Sequence, residues 1–149
     1  NGVPIFIDFA HTPDGLENCL ETLRPYAKQR LIVVFGCGGD RDSGKRPLMG
    51  EIACRMADVV YITDDNPRRE APATIRAQIR AACSSAVEIG DRGKAIRAAI
   101  EGLEPGDVLV IAGKGHEQGQ ILATETIPFN DAEVARDVVA SLVRSKDAE

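Results

Sequence analysis

The sequence predicts an α/β domain, a mostly parallel sheet of about six strands with helices on both faces and an antiparallel edge strand. Three observations carry that expectation. Short apolar runs alternate with segments of helical periodicity along most of the chain. Two of the runs, residues 31–35 and 108–112, are continuously apolar, as strands covered on both faces are. The length of 149 residues fits one core and leaves no room for a second.

The first apolar run covers residues 4–9. Thr12 then offers an N-cap, with Pro13 at the first helical position and Asp14 in the first turn. Leu16, Cys19, Leu20 and Leu23 follow at helical spacing and define a buried face. The run 31–35 ends in Gly36-Cys37-Gly38-Gly39 and a polar stretch reaching Arg46. A helix over 47–57 turns Met49, Ile52, Ala53 and Met56 inward. The third strand, 59–63, closes on Asp64-Asp65-Asn66-Pro67-Arg68, and Pro72 starts a helix with Ile75, Ile79 and Cys83 on one face. Residues 86–89 make a short fourth strand, and Asp91 caps a helix that buries Ile96, Ala99, Ile100 and Leu103. The fifth strand, 108–112, ends in Gly113-Lys114-Gly115-His116-Glu117. No crossover helix follows, so residues 120–128 are expected to add an antiparallel edge strand. The last helix has a capping box, Asn130 with Glu133, and a hydrophobic staple, Phe129 with Val134; Val134, Val138, Val139 and Leu142 face inward.

Hydrophobic residues make up 44% and charged residues 28%, an ordinary balance for a folded domain. A formal net charge of −5 argues against a general nucleic-acid or anionic-membrane surface, while a local basic pocket could still bind an anion. The cysteines Cys19, Cys37, Cys54 and Cys83 contain no C-x-x-C pair and read as buried free thiols in a reducing cytoplasm. No apolar run approaches the roughly 20 residues of a membrane span, and nothing reads as a signal peptide. The expected compartment is therefore the cytoplasm. The chain opens on Asn1 rather than Met and enters a strand-like run almost at once, which reads as part of something longer.

Residues 8–11, 36–46, 64–68 and 113–117 each follow an apolar strand. In open α/β sheets ligands bind beyond the carboxyl ends of the strands, so these segments are expected to line one crevice. From Gly39 to Lys45 the spacing matches a phosphate-binding P-loop, but Arg46 stands where a Ser or Thr hydroxyl is needed and Pro47 lacks a backbone donor. Gly36-x-Gly38-x-x-Arg41 lacks the third glycine of the dinucleotide fingerprint, which disfavours a nicotinamide enzyme. What remains is three cations, Arg41, Lys45 and Arg46, at a helix start, suited to carboxylate or phosphate. A solvated basic turn is the bland alternative. Asn66 and Arg68 offer directional donors beside the rigid Pro67, the alternative being a capped turn. Gly113 and Gly115 permit close backbone approach next to Lys114, His116 and Glu117. His11 and His116 with scattered cysteines make no zinc set, so no metal site is expected, and no nucleophile has an obvious base. Separated cations with at least one anion suit a small zwitterion carrying more than one carboxylate, such as an amino acid.

Asp8-Phe9-Ala10-His11-Thr12-Pro13-Asp14, Phe35-Gly36-Cys37-Gly38-Gly39-Asp40-Arg41-Asp42, Asp65-Asn66-Pro67-Arg68 and Ala112-Gly113-Lys114-Gly115-His116-Glu117 resemble the MurE branch of the Mur ligases. The similarity runs over nearly the whole chain, in order and at compatible spacing. It implies a Rossmann-like three-layer fold and makes residues 1–149 the C-terminal, amino-acid-binding domain, with the N-terminal and central ATPase domains absent from this chain. It implies an ATP-dependent amide-forming ligase that adds meso-diaminopimelate to UDP-N-acetylmuramoyl-L-alanyl-D-glutamate through an acyl phosphate, in peptidoglycan biosynthesis. ATP and magnesium would be held mostly by the central domain, which carries the family's P-loop and carbamylated lysine, so the fragment alone is expected to be inactive. The implied partners are the amino acid, the UDP-muramyl dipeptide and the two missing domains.

The resemblance assigns Arg41, Asp65, Asn66, Arg68, Gly113 and Glu117 to diaminopimelate. Arg68 and Asn66 would hold the distal carboxylate, Arg41 the other one, and Glu117 with the Gly113 carbonyl the distal ammonium. Lysine would then leave Arg68 without a partner. Asp8, Phe9 and His11 match the segment that approaches ATP, Asp8 near the ribose and His11 near the phosphates. The family usually has Tyr where this chain has Phe9, which leaves only ring packing there. Two other readings are a stand-alone small-molecule-binding module and another Mur-like amide ligase, either lysine-adding or folylpolyglutamate synthase-like. An upstream G-x-x-x-x-G-K-[ST] would decide against the first, and Asp65 to Arg68 argue against the second.

Overall fold

The computed structural model describes residues 2–147. In chain order the elements are β1 (Ile5–Asp8), α1 (Pro13–Leu23), β2 (Leu31–Phe35), α2 (Lys45–Met56), β3 (Val59–Ile62), α3 (Pro72–Arg80), β4 (Val87–Glu88), α4 (Arg92–Glu101), β5 (Val108–Ala112), β6 (Gly119–Ile121), β7 (Thr126–Pro128) and α5 (Asp131–Asp147). A single 3-10 turn, Arg24–Tyr26, follows α1.

The main sheet has the order β1-β5-β2-β3-β4 and every pairing in it is parallel. Its two central strands, β2 and β5, are buried at every residue, as their unbroken apolar runs predict. Side chains alternate between the faces. Leu31, Val33, Phe35, Val108 and Val110 pack with α1, α2 and α3, through Leu16, Leu20, Met49, Ile52, Ile75 and Ile79. Ile32, Val34, Leu109 and Ile111 pack on the other face with Ile96, Ala99 and Ile100 of α4 and Ala135 and Val138 of α5. The fold is the expected three-layer α/β domain.

Three helix starts follow the sequence signals. Thr12 Oγ1 accepts from the Gly15 amide at 3.0 Å, Asp91 Oδ1 from Lys94 at 2.9 Å and Asn130 Oδ1 from Glu133 at 3.0 Å. Among the described residues no helix is long and apolar enough to cross a membrane. Of the free cysteines, Cys37 and Cys83 are buried as expected, Cys19 is half-buried and Cys54 is exposed.

Other expectations need correction. The main sheet has five strands, and the antiparallel piece is a separate hairpin, β6 with β7, instead of an edge strand. The cause is topological: β5 lies inside the sheet, so the chain leaving it meets no free edge and pairs with itself above the strand ends. Helix α2 begins at Lys45, two residues before Pro47, which a first turn tolerates because its N–H groups have no intrahelical acceptor. That start carries Arg46 into the interior. Val139 is exposed, because the inner face of α5 centres on Ala135 and Val138.

Arg46 is fully buried and donates to both Glu70 oxygens, Nη2 to Oε1 at 2.7 Å and Nη1 to Oε2 at 2.8 Å, as well as to Gln78 Oε1 and the Gly38 carbonyl. It ties the glycine loop to α3 and is no anion ligand. The Arg46 guanidinium, helped by the Asp40 amide, lowers the Glu70 carboxyl from 4.5 to about 2. Because the folded value lies below the unfolded one, this interaction stabilises in full above about 4.5 and is lost as pH falls through about 2. Acid titration of stability by circular dichroism should therefore show Glu70→Gln less stable than the native protein at neutral pH, with the gap closing as pH falls toward 2. A gap independent of pH would show that Glu70 acts without its charge.

Candidate functional site

The carboxyl ends of β1, β2, β3 and β5 bring the four singled-out segments around a crevice of about 410 Å³. Gly36, Gly38 and Gly39 are required by contact with the next loop. A Cβ on Gly36 would overlap the Thr63 carbonyl, one on Gly39 the Pro67 carbonyl, and one on Gly38 would sit 2.7 Å from Arg68 Nη1. The Gly39 amide donates to the Asn66 carbonyl at 2.8 Å, so the loop after β2 lies directly on the loop after β3.

That second loop is fixed from the other side by the hairpin. Arg68 has a left-handed backbone, φ 52°, a conformation that costs a non-glycine residue on the order of 1 kcal/mol or more. Its amide donates to the Ile121 carbonyl at 3.0 Å, its Nη1 to the Gly39 and Asn66 carbonyls at 3.1 and 3.3 Å, and Gln120 Nε2 reaches the Asp65 carbonyl at 2.8 Å. The half-buried Arg68 guanidinium is thereby held at the crevice wall. Asn66 is buried; its Oδ1 accepts from Lys114 Nζ at 2.8 Å and from the Ile121 amide at 2.9 Å, and its Nδ2 donates to Glu117 Oε1 at 3.2 Å.

Gly113 has φ 112°, and a Cβ there would meet Asp65 Oδ2 at 2.7 Å, so only glycine lets β5 turn out beside Asp65. Lys114 is fully buried, with Nζ 3.3 Å from Glu117 Oε1 and 3.7 Å from Asp65 Oδ1. Burial raises the Asp65 carboxyl above its usual range, and the nearby Arg92 and Lys114 oppose that rise.

On the β1 side Phe9 is 54% exposed and meets His11 edge to face, with ring centroids 4.9 Å apart. His11 Nδ1 is 2.9 Å from the Phe9 carbonyl, and Lys45 Nζ donates across the crevice mouth to the His11 carbonyl at 3.0 Å. Arg41 is exposed and donates to its neighbour's carbonyl, Asp40, at 3.0 Å. Phe9, His11, Arg41, Asp65, Asn66, Arg68, Gly113 and Glu117 all line the crevice. Asp8 does not: its Oδ1 accepts from the Ala10 amide at 2.8 Å, and it borders a neighbouring cleft with Cys19, whose thiol burial and the Asp8 charge push up to about 12. The crevice thus sets Arg41, Lys45 and Arg68 against Asp42, Asp65 and Glu117, a mixed lining that suits a small zwitterion. Among the described residues no three His, Cys, Asp or Glu side chains are grouped to hold a metal ion.

The family model of the Mur ligase, glutamate ligase domain, matches residues 1–115. The chain belongs to the Mur ligase family. The UDP-N-acetylmuramoyl-L-alanyl-D-glutamate--2,6-diaminopimelate ligase of Bradyrhizobium diazoefficiens is 64% identical over 143 residues, which is 96% of this chain and 30% of that protein. Its namesake from Brucella melitensis is 59% identical over 143 residues, 95% of this chain and 29% of that protein. A solved structure of a ligase with the same name superposes with a TM-score of 0.89 at 42% identity, covering 93% of this chain and 29% of that one. The chain therefore spans about 30% of the length of these curated relatives.

Sequence reasoning does not show how several residues shape this crevice. Lys114 stands out in the sequence only as one charge of the segment after β5, and its full burial is what the sequence does not show. Arg92, also fully buried, pairs with Asp131 at 2.7 Å and donates to the carbonyls of Asp64 and Ala112, both at 3.1 Å, which anchors the ends of β3 and β5. Gln120 and Ile121 reach the site through the hairpin. None of these contacts has a local signal, since each joins residues far apart in the chain.

Proposed function

We propose that this chain is the C-terminal, amino-acid-binding domain of a cytoplasmic ligase that joins meso-diaminopimelate to UDP-N-acetylmuramoyl-L-alanyl-D-glutamate in peptidoglycan synthesis, its N-terminal and central domains lying outside the chain. The observation that supports this reading best is that the Arg68 guanidinium and the Glu117 carboxylate both line one crevice. Diaminopimelate ends in an amino acid at both termini, so its distal end needs both a donor and an acceptor.

In this reading Arg68 and the Asn66 amide take the distal carboxylate by charge-assisted hydrogen bonds, and Glu117 with the Gly113 carbonyl takes the distal ammonium. Asp65 backs that end of the pocket, while Arg41 holds the proximal carboxylate at the mouth. The proximal amine is left to attack the acyl phosphate: its nitrogen bonds to the carbonyl carbon, the carbon–oxygen bond to phosphate breaks, and phosphate and a proton leave. ATP supplies the phosphoryl group for that activated carboxylate, with magnesium offsetting its charge. Phe9 and His11 face the nucleotide from this chain, and Asp8 shapes the turn that presents them through its bond to the Ala10 amide. The remaining ATP and magnesium contacts belong to the central domain.

Steady-state kinetics on the full-length ligase test the reading. The native enzyme is expected to form the amide with diaminopimelate far better than with lysine, whereas this chain alone should give no turnover. Glu117→Gln keeps the size and removes the charge, so it should raise KM for diaminopimelate more than KM for ATP. Equal use of lysine, or amide formation by the chain alone, would overturn the assignment.

A further inference from the structure

Lys114 has no role in the contacts proposed above, yet it is fully buried behind the crevice wall. Its Nζ has three acceptors within reach: Asn66 Oδ1 at 2.8 Å, Glu117 Oε1 at 3.3 Å and Asp65 Oδ1 at 3.7 Å. A buried ammonium held this way restricts what its neighbours can offer a ligand. Asn66 Oδ1 already accepts from Lys114 and from the Ile121 amide, so the amide oxygen is filled and the NH2 group must point the other way, toward Glu117 and the crevice. Glu117 Oε1 accepts from both Lys114 and Asn66, which leaves Oε2 without a protein partner among the described residues.

We propose that Lys114 is the positioning residue for the distal end of the amino-acid substrate, orienting Asn66 so that it presents only a donor and Glu117 so that it presents only a free acceptor oxygen. The inference rests on the proposed function for the identity of the amino acid, and it sharpens the substrate class: a donor beside a single acceptor selects a second amino-acid terminus over a bare ammonium. Without Lys114 only the Ile121 amide holds the Asn66 oxygen inward, so the side chain loses the charged half of its anchor and populates the flipped orientation, whose oxygen repels the carboxylate, more often. Glu117 would be free to swing toward solvent, since its side chain is 37% exposed. Lys114 acts through these two side chains and does not itself face the ligand; it does not line the crevice.

The test is the ratio of kcat/KM for diaminopimelate to that for lysine in the full-length ligase, measured well below the melting temperature. A purely structural lysine would, on removal, lower the active fraction equally for both amino acids and leave the ratio and both KM values unchanged. For Lys114→Met the ratio is expected to fall about tenfold or more through a higher KM for diaminopimelate, with KM for ATP within about twofold of native. Lys114→Gln keeps a donor toward Asn66 at smaller size, and should recover part of the ratio. It also serves in place of Lys114→Met if that variant does not fold, in which case a ratio below native supports the proposal. A native ratio in folded Lys114→Met, or in Lys114→Gln where Lys114→Met does not fold, overturns it. The preference of the native enzyme is read separately: no native preference for diaminopimelate would sink the proposed function, and the effect of the variants on KM for whichever amino acid is used would still decide the role of Lys114.

Discussion

In the full-length ligase Arg68→Ala is expected to lower the preference for diaminopimelate over lysine by on the order of 2–5 kcal/mol, the cost of truncating one partner of a hydrogen-bonded charge pair. The lower end of that range applies, because Arg68 is half-buried. Only Nη1 has protein acceptors among the described residues, the carbonyls of Gly39 and Asn66, so Nε and Nη2 remain for a ligand carboxylate. Lysine has no distal carboxylate and loses nothing at that position when the guanidinium goes, which is why the ratio, and not the rate with one substrate, isolates the effect. Arg68→Lys should restore little of it, since a single ammonium cannot reproduce the planar two-donor fork. An unchanged ratio in Arg68→Ala would show that another group reads the distal end.

The largest loss of stability is expected at Asp131. Arg92 and Asp131 are both fully buried and joined by two bonds of 2.7 Å, so Asp131→Ala leaves a guanidinium uncompensated in the interior. Breaking such a pair from one side costs on the order of 3–5 kcal/mol, which corresponds to roughly 10 °C or more in Tm for a domain of this size. Replacing both partners with apolar residues often restores stability elsewhere. Here Arg92→Met with Asp131→Leu should not, because Arg92 also satisfies the carbonyls of Asp64 and Ala112, and each buried acceptor left bare costs about 1–3 kcal/mol. Thermal melts of the two variants against the native protein check both statements. Full recovery in the double variant would mean that water reaches those carbonyls and that the arginine is replaceable.

The fold was legible where one local cause decides a segment. The limits of β2 and β5 follow from apolar runs that end abruptly in glycine, and the starts of α1, α4 and α5 from a capping side chain at a fixed offset. Legibility failed where a distant partner decides. Arg46 looked like a loop cation until α2 began early enough to carry it to Glu70 and Gln78. Residues 120–128 read as a sheet edge because an apolar run shows that β5 is covered on both faces, and does not show that strands flank it on both sides. The crevice residues were found through their position after strands, a rule about backbone, and Asp8 escapes it because its side chain points to the neighbouring cleft. The burial of Lys114 and Arg92 is not legible for one reason: burying a charge depends on partners that only the tertiary fold supplies.

The place of β5 in the sheet also governs the order in which the domain can form. Strands β1 and β2 do not pair with each other; each pairs with β5, as Ile5 with Leu109 and Leu31 with Val108 show. A nascent chain that has left the ribosome only as far as α4 can assemble β2, β3 and β4 with their helices, while β1 waits and the edge of β2 stays open. Such an unpaired apolar edge is a site for association with other chains. Insertion of β5 closes that edge and recruits β1 in one step of high sequence separation, which makes it the slow event expected of non-local strand pairing. The same step delivers Gly113, Lys114 and Glu117, so the closing of that edge and the assembly of the crevice coincide.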